Sequence, residues 1–78
     1  MKDYIDVYTD NGVEKMEVVL IFNLEGYKYN YIIYRTLDNE HYYIGKYIGE
    51  NIVDLDTNLS ENEMLLAEKI LEGVLDNE

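Results

Sequence analysis

Asp54, Asp56 and Asn58 place side-chain oxygens at alternating positions, the spacing with which a calcium loop begins. Such a loop needs glycine at its sixth position for the sharp turn and a bidentate Glu at its twelfth. Those positions hold Leu59 and Leu65, so the segment reads as a polar lead-in to a helix. His41 is the only histidine and cysteine is absent, which leaves it no companion for a metal centre or a proton relay. It reads as an exposed residue at the start of a strand. Ser60 is the only serine, and a helix cap accounts for it, so no Ser-His-acid nucleophile can be assembled. The five glycines are dispersed and form no phosphate-cradling loop. Carboxylates are abundant, but abundance without a deep pocket is no sign of acid–base catalysis. The Asn58-Leu59-Ser60 sequon has no use in a chain without secretory features. The expectation is a non-enzyme with no cofactor, no metal and no small-molecule substrate.

The elements that would position any site are marked by changes of period. Asp10-Asn11-Gly12 is a tight-turn signal, because Asn and Gly accept the positive φ that a hairpin demands. Before it, Tyr4 to Thr9 reads as a strand with Ile5 and Val7 on one face and Tyr4, Asp6 and Tyr8 on the other. After it, Met16, Val18, Leu20, Phe22 and Leu24 alternate, which predicts one buried face on a central strand. Glu25-Gly26 turns the chain into a strand over Tyr27 to Thr36, with Tyr27, Tyr29, Tyr31 and Ile33 on one face. Leu37-Asp38-Asn39-Glu40 is a polar turn, His41 to Ile48 a fourth strand, and Ile52 to Leu55 a short edge strand. The period then becomes helical. Ser60-Glu61-Asn62-Glu63 is a capping box flanked by Leu59 and Met64, and it predicts a helix from Glu61 to about Leu75. Met64, Ala67, Ile70, Leu71, Val74 and Leu75 form its apolar stripe. The fold class is α+β: one domain over residues 1–78, an antiparallel β-meander of four to five strands with one C-terminal α-helix packed on one face.

Composition limits the partners. Seventeen acidic residues against six basic ones give a formal net charge of −11 on 78 residues, while 47% hydrophobic content argues for a folded core. Lys2, Lys15, Lys28, Arg35, Lys46 and Lys69 are scattered singly, which excludes direct nucleic-acid binding and disfavours an anionic membrane surface. A basic protein would be attracted. No apolar run approaches the length of a membrane span, and the N-terminus shows no secretory pattern, so a cytoplasmic location is expected.

One helix covers one sheet face. The uncovered face is expected to keep Val19 and Ile21 with part of the tyrosine set, Tyr27, Tyr29, Tyr31, Tyr43 and Tyr47, as a sticky surface for a protein partner or for self-association. A second possibility is an acidic decoy that mimics nucleic acid and blocks the basic groove of a DNA- or RNA-binding protein, as phage anti-defence inhibitors do.

Thr9-Asp10-Asn11-Gly12, a hydrophobic strand ending in Phe22, Tyr29-x-Tyr31, Tyr42-Tyr43 and a late acidic helix together resemble the small YrzB-like proteins of Gram-positive bacteria. The likeness spans nearly the whole chain, although the long acidic run often found between the family's middle strands is here only Leu37-Asp38-Asn39-Glu40. It implies a cytoplasmic bacterial protein of unassigned function, with no catalytic residue to carry over.

Overall fold

Gly12, at φ +101°, lets the chain reverse within two residues, and Thr9 pairs directly with it across the turn. The computed structural model describes residues 3–38, 40–49 and 55–76. Strand β1 (Asp3–Thr9) pairs with β2 (Gly12–Asn23), β2 with β3 (Asn30–Arg35) and β3 with β4 (Tyr42–Tyr47). The sheet is an antiparallel meander in the order β1-β2-β3-β4, followed by the helix α1 (Glu61–Asp76). Residues 27–29, expected in β3, lie outside it. Of the expected edge strand, residues 52–54 are outside the described residues, as is Asp54 of the calcium-like run. What is described is a single antiparallel bridge in which Asp56 and Lys46 exchange two backbone hydrogen bonds of 2.9 Å.

The unbroken alternation expected from Met16 to Leu24 is interrupted. Val18 lies opposite Tyr34 and Leu20 opposite Ile33, so Val19 is an extra residue in a β-bulge. Because side chains alternate with a period of two, one inserted residue moves the rest of the row to the other face. Met16 and Val18 therefore share a face with Ile32 and Tyr34, whereas Leu20 and Phe22 share the opposite face with Ile33 and Tyr31.

Each face has its own core. On one side lie Met16, Ile32, Tyr34 and Tyr47, with Ile5, Val7, Val18 and Leu55 packed against them. Leu55 sits so close over Gly45 that a Cβ there would come within 2.8 Å of its Cγ. On the other side α1 lies over Tyr31 and presents buried Glu63 and Ala67, with Met64, Ile70, Leu71 and Val74 half-buried around them. Leu75, expected in that stripe, is exposed in the last turn. The centre of the face opposite the helix, at Met16, Ile32, Tyr34 and Tyr47, is thus closed within one chain, while Ile21 and Tyr43 stay exposed at its margins.

Candidate functional site

The capping box forms as its residue types require. The Glu63 N–H donates to Ser60 Oγ at 3.2 Å, and the Ser60 N–H donates to Glu63 Oε1 at 2.9 Å. The same carboxylate accepts from the Tyr31 hydroxyl and from Lys46 Nζ at 3.1 Å. Lys46 Nζ also stands 4.4 Å from the centre of the Tyr29 ring. A buried carboxylate with three donors and a buried ammonium with an anion and a π-face are both satisfied, and among the described residues no buried side-chain polar atom is left without a partner. The cluster fastens the first turn of α1 to β3 and β4. Its carboxylate is shut from solvent.

These hydrogen bonds, the one from Tyr31 foremost, hold the Glu63 carboxyl down at about 2, against the desolvation that opposes ionisation. Burial, reinforced by Glu63, pushes the Tyr31 phenol well above its ordinary value. A carboxyl whose folded value is depressed stabilises the fold above its unfolded value, and that contribution is lost as pH falls through the folded value. The stability difference between wild type and Glu63→Gln should therefore shrink as pH drops from about 5 toward about 2. Urea titrations across that range check it. A difference unaffected by pH would mean that Glu63 is not held ionised.

The residues expected to form one binding face are dispersed. Tyr31 is fully buried and Tyr47 is only 7% exposed, so neither can touch a partner. Tyr27 and Tyr29 are half-buried, with their rings edge-on to Tyr31 at 6.4 and 6.3 Å. Val19 occupies the half-buried bulge. Ile21 is exposed, but it lies on the Ile32 face, away from the Tyr31 cluster. Only Tyr43 belongs to an open concavity.

That concavity, about 1040 Å³, follows from strand lengths. Glu17 pairs with Arg35 at the end of β3, so residues 12–16 pair with β1 alone and the β1–β2 hairpin overhangs the β3–β4 turn. The hairpin is stiffened by Thr9, whose hydroxyl donates to the Gly12 carbonyl at 3.1 Å and accepts from the Asn11 N–H at 3.2 Å. The opposing turn is held by Asp38, which accepts from the Thr36 hydroxyl and from the Glu40 N–H at 3.0 Å. These bonds, Thr36 first, keep the Asp38 carboxyl below its usual value. Between them the groove is lined by Tyr8 (84% exposed), Val13 (60%), Leu37 (57%) and Tyr43 (42%), with Asp10, Glu14 and Asp38 outnumbering Lys15 and His41 in its walls. Tyr43 is steadied by stacking on buried Tyr34 at 5.6 Å.

No family model, curated protein or solved structure matches this chain. No helix among the described residues is long and apolar enough to cross a membrane. Sequence reasoning missed Tyr8, Val13 and Leu37. Their one signal was proximity to turns that lie at the same end of a meander.

Proposed function

We propose that the chain is a small acidic interaction module that holds a basic protein segment in the groove between the β1–β2 hairpin and the β3–β4 turn. The observation that carries this reading is that exposed Tyr8 and Val13 of the hairpin and Leu37 and Tyr43 of the facing turn line one concavity, where Asp10, Glu14 and Asp38 outweigh Lys15. Apolar anchors with a polar rim are the usual anatomy of a protein-binding surface, and the net charge of −11 favours a cationic partner. A cytoplasmic bacterial setting and kinship with YrzB-like proteins belong to the same proposal, supported by the shared order of hairpin, sheet and acidic helix.

Val13→Ser with Leu37→Ser should weaken a purified partner, first obtained by affinity capture, by at least about tenfold, while Ile21→Ser outside the groove leaves it unchanged. Equal affinity of the groove variant and wild type would refute the assignment. The decoy reading is favoured by one feature: Glu68, Glu72 and Asp76 are exposed at four-residue steps, about 6 Å apart along the helix. Binding that collapses between low and moderate salt and ignores the groove variant would select the decoy.

A further inference from the structure

Antiparallel pairing makes alternate residues of a strand present both backbone groups to the same side. Lys46 turns its N–H and C=O away from β3, since both bond to Asp56. Ile44, two residues earlier, therefore turns its own N–H and C=O to that same outer edge. The chain does not follow β4 that far. Asp56 Oδ1 accepts from the Asn58 N–H at 2.8 Å, and the segment leaves the edge to enter α1. Among the described residues nothing pairs with Ile44 on that side. A recess of about 380 Å³ remains there, with Ile44 and Tyr43 on the strand side, Thr57 at one end and Met64, Glu68 and Leu71 of α1 across it.

We infer that this edge of β4 accepts an extended, basic segment of another protein as an added strand, antiparallel to β4 and opposite Ile44. The inference rests on the reading of the chain as a module for cationic partners and gives that partner a binding mode. The edge already holds one such pairing at Lys46, so its twist and spacing suit a strand. A residue opposite Ile44 carries its side chain to the face of Ile44, where Met64 and Leu71 form an apolar wall. Residues two positions away along the added strand share that face and bring a Lys or Arg within reach of Glu68. A second copy of this chain is the poorer occupant, because it would bring a further net charge of −11 to an edge already lined by Glu68. The recess shares Tyr43 and Thr57 with the larger groove, so one partner segment can run from the added strand into it.

The test uses the full chain and two synthetic peptides. One is acetyl-Thr-Lys-Thr-Val-Thr-Lys-Thr-amide, which places its valine opposite Ile44 and both lysines on the face of Glu68. The other has the same sequence with its valine N-methylated, which keeps the charge and side chains but cannot donate to the Ile44 carbonyl. Residue-resolved amide exchange should show the Ile44 N–H unprotected in the free chain and slowed about tenfold or more by the first peptide only. Glu68→Lys should weaken that protection. If the first peptide shifts Val13 and Leu37 amides but leaves Ile44 exchange unchanged, strand addition is wrong and the groove reading stands. If neither peptide perturbs any amide at low salt, both fail.

Discussion

Glu63→Ala should destabilise the protein by about 3–5 kcal/mol, because it leaves the Lys46 ammonium buried without its anion. The loss is compounded by an orphaned Tyr31 hydroxyl and an uncapped Ser60 N–H. Domains of this size have small total stabilities, so the variant sits near the folding threshold. The effect belongs to the broken set and not to charge as such. Replacing the set together, as Glu63→Leu, Lys46→Met and Tyr31→Phe, should recover most of the loss, since packed apolar groups can replace a buried ion pair at little cost. Chemical unfolding followed by far-UV circular dichroism measures both. A Glu63→Ala loss below about 1 kcal/mol would show that solvent reaches the cluster.

Ile32→Ala should cost about 2–5 kcal/mol, the usual range for emptying a fully buried aliphatic site. Its cross-strand neighbour Ile21 lies on the same face but is half exposed, and Ile21→Ala should cost less than about 1 kcal/mol. The contrast distinguishes a closed core from an open binding face. Were that face reserved for a partner, Ile32→Ala would cost little in the free protein and much in the complex.

Local chemistry made much of this fold legible. The Asp10-Asn11-Gly12 turn, the meander and the Ser60–Glu63 cap each depend on residues a few positions apart, and each is present. The assignment of faces failed at Val19. Val18-Val19-Leu20-Ile21-Phe22 is apolar throughout, so an inserted residue leaves no polar mark in the pattern. The tyrosines misled for a related reason. Tyr31 reads as a surface strand former until Glu63, 32 residues further on, supplies the acceptor that lets it be buried. Tyr31→Ser would consequently strike the attachment of the helix and not a binding face. The groove was hidden because an overhanging hairpin is a property of register, and neither Val13 nor Leu37 announces it alone.

Both sheet faces carry tyrosine-containing cores closed within one chain, and the most exposed aromatic ring, Tyr8, lies on the overhanging hairpin. Photochemically induced nuclear polarisation of the nine tyrosines tests it directly, because the dye polarises only rings it can touch. A strong signal from Tyr8, clear ones from Tyr4 and Tyr43 and none from Tyr31, Tyr34 or Tyr47 is the predicted result. Polarisation of Tyr31 and Tyr47 in the folded protein would contradict it.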